Sequence, residues 1–353
     1  MPVSRPWTLT RYLIEERRRF PHAGGDLNAL LLDVSLACKA VARTVAFGEL
    51  NDTAVPAEHP GDPALSLCRL SDDIFVRVNE ANGQLAGFTA PGCARPRQVP
   101  RTTGRGKYLL VFDPLDGSGN TALNVTVGSI FSVLRAPEAL GTSGRDAVEA
   151  DFLQAGAAQV AAGYALYGPT TMLVLSVGNG VAGFTLNPTL GDFMLTHPEI
   201  RVREHTHEFA INASNRRFWE PPVKRYVEEC QAGRSGPRHK DFTMRWIASM
   251  VADAHRVLMR GGVFLDPRDG REAGPVRLLH EANPIAFLME QAGGRASTGR
   301  RRVLDVEPTA LHQRVGLVFG SSSEVERIER YHHEPADSER GNPLFAERGL
   351  FRQ

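Results

Sequence analysis

The chain has 353 residues, a formal net charge of +1 and 42% hydrophobic residues. A chain of this length can bury a large core, in one large domain or two smaller ones. Its near-neutral charge argues against a nucleic-acid partner, and no apolar stretch is long enough to predict a membrane span or a targeting segment. We therefore expect a cytoplasmic protein with neither a membrane nor a nucleic-acid partner.

Hydrophobic periodicity predicts helices first and strands afterwards in the N-terminal half. Apolar residues at helical spacing are clearest between Leu27 and Val45, whereas Pro, Asp and Gly over 49–63 predict a loop. Apolar and polar residues alternate around Gly128 and Ser129, which predicts a hairpin. In chain order, the predicted elements are helices over 8–20, 27–47 and 71–80, a strand over 107–112 and a hairpin over 123–134.

The C-terminal half mixes strand and helix patterns, which predicts layers of sheet and helix. Gly178 to Gly183 fits G-x-G-x-x-G, but a dinucleotide-binding loop must open a helix. The residues from Phe184 to Pro188 are strand-like and then broken by proline, so we interpret these glycines as a tight hairpin. The predicted elements are strands over 159–167, 170–177, 181–186 and 276–279 and a helix over 241–260.

The most informative segment lies where a predicted strand ends, in the run Phe-Asp-Pro-Leu-Asp-Gly-Ser-Gly-Asn that starts at Phe112. Asp113 and Asp116 stand three residues apart, and Pro114 between them bends the chain because it cannot extend a sheet ladder. The bend can direct both carboxylates and the Leu115 carbonyl at one point. Three hard oxygens of this kind suit Mg²⁺ or Mn²⁺.

The turn that follows the two acids offers a place for a phosphate. Gly117, Ser118 and Gly119 are small, and their backbone N–H groups can surround an anion. An ordinary Asx-type turn is the alternative interpretation, since Asp, Gly, Ser and Asn are common turn residues.

A second segment carries an acid at a predicted strand-to-helix junction. Asn283 and Pro284 are typical of a helix start, and an apolar stripe follows them up to Gly293, which can end the helix. Glu281 lies between the strand and this helix, where a metal ligand could project into a cleft. Taken alone, such a residue is more often a solvated acid at a helix start.

Together the two segments resemble a known family. Asp-Pro-Leu-Asp-Gly-Ser-x-Asn resembles the metal-binding signature of the lithium-sensitive phosphatase superfamily. The segment from Gly261 to Gly294 is similar to the C-terminal catalytic segment of class I fructose-1,6-bisphosphatases. The resemblance covers most of the chain and implies an α/β fold, the five-layer αβαβα sandwich of that family. It also implies an N-terminal domain over 1–200 and a C-terminal domain over 201–353.

The resemblance implies a metal-dependent phosphatase that hydrolyses the 1-phosphate of fructose-1,6-bisphosphate, or acts on sedoheptulose-1,7-bisphosphate, in gluconeogenesis or the Calvin cycle. The implied cofactor is Mg²⁺ or Mn²⁺, and the implied assembly is a homotetramer. Asp73, Asp113 and Asp116 would be catalytic, with Asp73 orienting the attacking water. The implied metal ligands are Asp113, the Leu115 carbonyl, Asp116 and Glu281. The implied contacts to the cleaved phosphate are Asp116, Gly117, Ser118 and Gly119. The implied contacts to the other phosphate are Asn212 and Arg245, and Arg245 would reach it across a subunit boundary.

The chain departs from the family pattern at both phosphates. Pro91 and Gly92 stand where the family has two metal-binding glutamates, and no acid lies between residues 81 and 112. Asp266 and Pro275 replace a tyrosine and a lysine of the other phosphate site. Two further replacements, of an acid and of a tyrosine, are Cys68 and His280.

These departures support two further hypotheses. The first is a catalytically weakened or inactive paralogue that serves as a regulatory or partner subunit. A phosphatase that acts on other phosphate substrates, such as inositol phosphates, is a further alternative to the sugar bisphosphatase. The second is that Arg95 or Arg97, just beyond the missing glutamates, supplies positive charge near the cleaved phosphate; a solvated basic loop is its alternative. The four cysteines are scattered without a CxxC pair and predict reduced structural thiols.

Overall fold

In a computed structural model, the described residues are 7–19, 25–48, 63–100, 102, 104–269 and 274–334. The loop predicted over 49–63 therefore lies outside the described residues except at Pro63. The helices of the described part are α1 (Leu9–Arg19), α2 (Gly25–Phe47), α3 (Pro63–Asn79), α4 (Glu138–Ser143), α5 (Glu149–Phe152), α6 (Pro221–Gln231), α7 (Met250–Arg260), α8 (Asn283–Gln291) and α9 (Ser322–His333).

The strands belong to one large sheet, one smaller sheet and a two-stranded ribbon. The large sheet contains β1 (Leu85–Thr89), β2 (Tyr108–Asp116), β3 (Val127–Arg135), β4 (Ala161–Tyr167), β5 (Thr171–Ser176), β6 (Ala182–Asn187) and β7 (Asp192–His197). The others are β8 (Glu208–Ile211), β9 (Thr243–Met244), β10 (Val263–Asp266), β11 (Val276–Arg277), β12 (Arg295–Ser297), β13 (Arg314–Val315) and β14 (Leu317–Gly320).

Helices and sheets stack in five layers. Helices α1, α2 and α3 pack on one face of the large sheet through a common core. Helices α7 and α8 fill the space between the large sheet and the smaller one, whose strand order is β12-β14-β10-β8-β9. Helices α6 and α9 cover the outer face of the smaller sheet. This is the αβαβα sandwich expected from the sequence.

The central strands are apolar almost throughout because helices cover both faces of the large sheet. All seven residues of β4 are buried, for example. This burial also explains why the hairpin predicted at Gly128 and Ser129 is wrong, since both residues lie inside the continuous strand β3. A Cβ on Gly128 would come within 2.3 Å of the Ala165 carbonyl oxygen, so glycine is needed there for close strand packing and not for a turn.

Two other predicted elements are shorter than expected. The helix predicted over 241–260 begins only at Met250, because Thr243 and Met244 pair with β8 and Ala248 adopts a positive φ of 63° that interrupts helical geometry. The strand predicted over 276–279 ends at Arg277 and passes into a wide π-helical turn over Leu278–Ala282. The glycine hairpin between β5 and β6 is confirmed, as the two strands pair antiparallel.

The register of β1 and β2 determines where the candidate site lies. These neighbouring strands run parallel, with Thr89 beside Val111, so their carboxyl ends meet at one edge of the sheet. Asp113 and Asp116 lie in the last four residues of β2 at that edge and form, with the residues after them, the acidic turn. The segment that contains Pro91 and Gly92 follows β1. Within the described helices, none combines the length and the apolar character needed to span a membrane.

Candidate active site

The bend at Pro114 is built into the sheet. Asp113 pairs with Ile130 and Asp116 pairs with Gly128, so the register with β3 shifts between the two acids. The Pro114 carbonyl accepts a hydrogen bond of 2.7 Å from the Ser129 hydroxyl. The Leu115 N–H donates to Asp113 Oδ1 at 3.1 Å. The strand thus leaves its ladder at a defined place and turns the Asp113 carboxylate back onto its own backbone.

The turn after Asp116 is fixed against the start of α7. The Val251 N–H donates to Asp116 Oδ2 at 2.9 Å, and the Asn120 side-chain amide donates to the Ala248 carbonyl at 2.9 Å. Gly117 has a φ of +75°, which an L-residue adopts only at a cost. The buried Ser249 hydroxyl has no hydrogen-bond partner in the described part of the chain, and it lies 3.1 Å from where a Cβ on Gly117 would be.

Glu281 comes from the wide π-helical turn that precedes α8. The Arg277 guanidinium contacts Glu281 Oε1 at 3.0 Å, and the Arg277 backbone N–H donates to Oε2 at 2.9 Å. Arg277 is a site residue that the sequence reasoning missed. Its spacing of four residues before an acid was the available signal.

The three acids share one environment, although they come from distant segments of the chain. Burial, followed by the charge of Glu281, raises the pKa of Asp113 to about 7. Burial, followed by the charges of Asp113 and Glu281, raises the pKa of Asp116 well above its usual value. Arg277 opposes the shift at Asp113. Glu281 thus lies close enough for its charge to act on both aspartates, and the assignment of the three acids as metal ligands stays a prediction.

The donor chemistry of these acids fits a hard divalent cation. Carboxylate oxygens are the ligands that Mg²⁺ and Mn²⁺ prefer, and a cation would relieve the repulsion that raises the pKa values of Asp113 and Asp116. Within the described ranges, however, no set of three His, Cys, Asp or Glu side chains is arranged to hold an ion. One of the three acids, Glu281, is hydrogen-bonded to Arg277 through both of its carboxylate oxygens.

Helix α3 brings further charge to the same edge. Asp73, the predicted water-orienting acid, is exposed. The neighbouring Asp72 is less exposed, and its charge contributes to the raised pKa of Asp113. Arg97 contacts Asp72 at 2.5 Å. Asp72 was not singled out in the sequence because Asp73, and not Asp72, matches the family position.

Cys68 lies one helical turn before Asp72 on α3. Burial, with smaller contributions from the charges of Asp113 and Asp72, raises the pKa of its thiol to about 11. The residue that replaces a family acid therefore lies within the electrostatic reach of the carboxylates. Cys68 and the three other cysteines are free thiols, as predicted.

Asn212, one of the two residues predicted to contact the second phosphate, lines a separate cavity of about 180 Å³. Asn212, Asp266 and Pro275 all contribute to its wall. Burial, followed by the charges of Glu281 and Asp269, raises the pKa of Asp266 to about 7. The shared effect of Glu281 shows that this cavity lies close to the carboxylates. Asn212 Oδ1 accepts a 2.6 Å hydrogen bond from the Ser214 hydroxyl, which fixes the orientation of the amide.

Within one chain, the Arg245 side chain contacts Glu208 and not the cavity beside Asn212. Its side chain is exposed and its Nε contacts Glu208 Oε1 at 3.1 Å. Glu208 also binds Arg256 and Arg260, so one carboxylate holds three arginines. Arg245 is absent from the described lining of the cavity that contains Asn212, and its role toward a neighbouring subunit stays a prediction.

Comparison with known proteins matches both halves of the chain. Residues 7–198 match the model of the fructose-1-6-bisphosphatase N-terminal domain, and residues 202–333 match that of the C-terminal domain. A class 1 fructose-1,6-bisphosphatase of Hydrogenophilus thermoluteolus is 59% identical over 98% of this chain and 97% of its own length. One from Methylibium petroleiphilum is 55% identical over 99% of each chain.

A solved structure agrees with the sequence comparisons. The holo form of Leishmania major fructose-1,6-bisphosphatase superposes with a TM-score of 0.84 and 34% identity, covering 93% of this chain and all of that one. Fold and site thus define a phosphoric monoester hydrolase of a class that depends in general on divalent metal. The chain belongs to the class I fructose-1,6-bisphosphatase family. The comparisons give no support to the hypothesis of an inactive partner subunit.

Proposed function

We propose that this chain hydrolyses the 1-phosphate of fructose-1,6-bisphosphate. The observation that carries the proposal is the convergence of Asp113, Asp116 and Glu281 beside the turn from Gly117 to Gly119, with the charge of Glu281 acting on both aspartates. Relatives that share more than half of their residues with this chain over nearly its whole length bear the name of this activity.

Asp113, Asp116, Glu281 and the Leu115 carbonyl would hold Mg²⁺, or Mn²⁺ in its place. The bound cation would neutralise phosphoryl oxygens and lower the pKa of water. Around it, the turn from Gly117 to Gly119 binds the cleaved phosphate through backbone N–H groups.

The remaining roles belong to side chains around the turn. Asp73 orients the attacking water. Asp116 contacts both the metal ion and the phosphate. The hydrogen bond that it accepts from the Val251 N–H fixes the position of one of its carboxylate oxygens.

The cavity beside Asn212 would receive the second phosphate. Arg245 of a neighbouring subunit would complete it, so we propose a homotetramer. A division near residue 200 would then separate a domain over 1–200, which carries the acidic turn, from one over 201–353, which carries Glu281. We propose that the reaction takes place in the cytoplasm, as a step of gluconeogenesis or the Calvin cycle.

The test is phosphate release by the purified full-length chain. We expect turnover of fructose-1,6-bisphosphate with Mg²⁺ and with Mn²⁺, and none after chelation. Sedoheptulose-1,7-bisphosphate should be assayed in parallel, because it differs from the first substrate in the length of the sugar between its two phosphates. Absence of turnover above background with either metal would overturn the proposal.

A further inference from the structure

The segment after β1 folds back on its own strand and brings an arginine to the site. The Arg97 N–H donates to the Phe88 carbonyl at 2.8 Å, and the Phe88 N–H donates to the Arg97 carbonyl at 3.2 Å. Phe88 precedes the last residue of β1 and lies beside Leu110 of β2. Arg97 is therefore held beside β1, on the side away from β2. Its contact with Asp72, whose charge acts on Asp113, links it to the acids, although sixteen positions separate Arg97 from Asp113 in the chain.

The guanidinium of Arg97 is both anchored and accessible. Its Nη2 contacts Asp72 Oδ2 at 2.5 Å, and its side chain is 37% exposed. A guanidinium carries five N–H donors in a fixed planar arrangement that suits two oxygens of a phosphate. The contact with Asp72 uses the donors of one nitrogen, and the Cys93 side chain also interacts with the guanidinium. The exposed part of the guanidinium keeps donors for a ligand that enters from solvent.

Neighbouring arginines do not combine these properties. Arg277 is bound to Glu281 both through its guanidinium and through its backbone N–H. Arg95, two residues before Arg97, is exposed and makes no hydrogen bond or ion pair with any residue that the structure describes. The carboxylates attract a metal ion but repel an anion, so a dianionic phosphate needs a cation on the side of the site that the acids leave open.

We propose that Arg97 binds the phosphate group that is cleaved. Asp72 positions its guanidinium, and the donors that Asp72 leaves free contact phosphate oxygens. The proposal rests on the proposed phosphatase function and adds to it a substrate-binding residue from the segment after β1. It also selects Arg97 over Arg95, between which the sequence could not decide.

The proposal predicts opposite effects of Arg97 on two ligands. Its charge attracts phosphate, but it repels a metal ion bound to the nearby acids. We therefore expect Arg97→Ala to weaken binding of inorganic phosphate about tenfold or more, as for the loss of a charge-assisted hydrogen bond. The same change should leave Mn²⁺ affinity unchanged or increase it. A purely structural role would lower both affinities together.

The experiment measures equilibrium binding to the full-length protein without turnover. Mn²⁺ affinity is measured by electron paramagnetic resonance in the absence of phosphate, and phosphate affinity by calorimetry at saturating Mg²⁺. Arg97→Gln, which keeps a hydrogen-bond donor toward Asp72 without the charge, should show the same phosphate loss if Arg97→Ala does not fold. Arg97→Lys should recover part of the affinity, and the matched control Arg95→Ala should change neither ligand.

Phosphate affinity within twofold of the unmodified protein in Arg97→Ala or Arg97→Gln would overturn the proposal, as would a parallel loss of both affinities. These outcomes differ from failure of the proposed function. If the unmodified protein bound phosphate with the predicted dependence on Arg97 but hydrolysed no sugar bisphosphate, only the phosphatase proposal would fail. If it hydrolysed the substrate and phosphate affinity did not depend on residue 97, only the present proposal would fail.

Discussion

Two turns lie side by side at one edge of the large sheet and carry opposite charge. The bent end of β2 and the turn after it present Asp113, Asp116 and Gly117, and the segment after the parallel neighbour β1 presents Pro91, Gly92 and finally Arg97. The acidic turn is held by bonds to β3 and to the start of α7, whereas the segment after β1 is held by its own return to Phe88. We infer that the acidic turn serves the metal and, through its backbone N–H groups, the phosphate, whereas the basic segment adds a charged contact to the same phosphate.

The largest effect on activity should come from replacing Glu281, the proposed metal ligand from the C-terminal half of the chain. We expect Glu281→Gln to lower kcat/KM by about 10²–10³-fold, because the developing charge loses much of its metal-based stabilisation. Glutamine keeps an acceptor for Arg277, so the fold should persist. Steady-state kinetics over a Mg²⁺ series measures the loss. Glu290→Gln on α8, which contacts Arg302 on the surface, is the matched control, and equal losses in both variants would remove Glu281 from the site.

The next effect tests whether the acidic turn needs its backbone shape. Gly117→Ala should destabilise the protein by about 1–2 kcal/mol, the cost of placing an L-residue at positive φ, and should lower activity about tenfold. Gly119→Ala lies two residues away with open space around its Cβ position and no positive φ, so its stability should be nearly unchanged. Thermal unfolding and steady-state kinetics of the two variants test this expectation. Equal stability and activity in Gly117→Ala and Gly119→Ala would contradict a requirement for glycine at Gly117.

A smaller effect concerns pH at the second phosphate. With a pKa of about 7, Asp266 is neutral below that pH and charged above it, so we expect KM for the bisphosphate to rise between pH 6 and 8. Asp266→Asn should flatten this rise and lower KM at pH 8 by about threefold. A KM that rises equally in both proteins would show that another group titrates.

The same residue affects stability with a defined sign. A carboxyl whose folded pKa is raised stabilises the fold at low pH, and the contribution is lost as the pH rises from about 4 through 7. Asp266→Asn should therefore unfold at a higher temperature than the unmodified protein at pH 8, with a smaller difference at pH 5. Differential scanning calorimetry of both proteins at the two pH values measures it.

The smallest expected effect is on Mn²⁺ affinity, when an acid is added to the segment after β1 so that both segments carry a carboxylate. Gly92→Glu returns an acid to the segment after β1 at an exposed position with nothing within 4 Å of its Cβ position. We expect Mn²⁺ to bind about two- to fivefold more tightly because of the added negative charge. Gly92→Gln is the neutral control. Equal Mn²⁺ affinity in the two variants would show that this segment does not face the metal side.

Much of this arrangement was predictable from the sequence. Pro114 between two acids predicts a bend at a strand end, and that bend is local chemistry that a short window contains. The layered fold followed from alternating helix and strand patterns together with the family resemblance. The misplaced hairpin at Gly128 had a different origin, because a glycine chosen for contact with a neighbouring strand has the same appearance in the sequence as one chosen for a turn.

The pairings of Arg277 with Glu281 and of Arg97 with Asp72 mark the limit of the sequence. The first joins residues four positions apart and could have been inferred from helical spacing. The second joins residues 25 positions apart and depends on where the segment after β1 returns to its strand. Such a contact is decided by tertiary packing, which no local pattern specifies.

The thiol of Cys68 has a consequence for handling this protein in air. Only a thiolate attacks peroxides and alkylating reagents readily, and with a pKa of about 11 on the order of one Cys68 side chain in ten thousand is ionised at pH 7. An aspartate at this position would have added negative charge, whereas a protonated sulfur adds none. Oxidants should therefore leave Cys68 intact for as long as the surrounding acids keep their charge and the helix keeps its place.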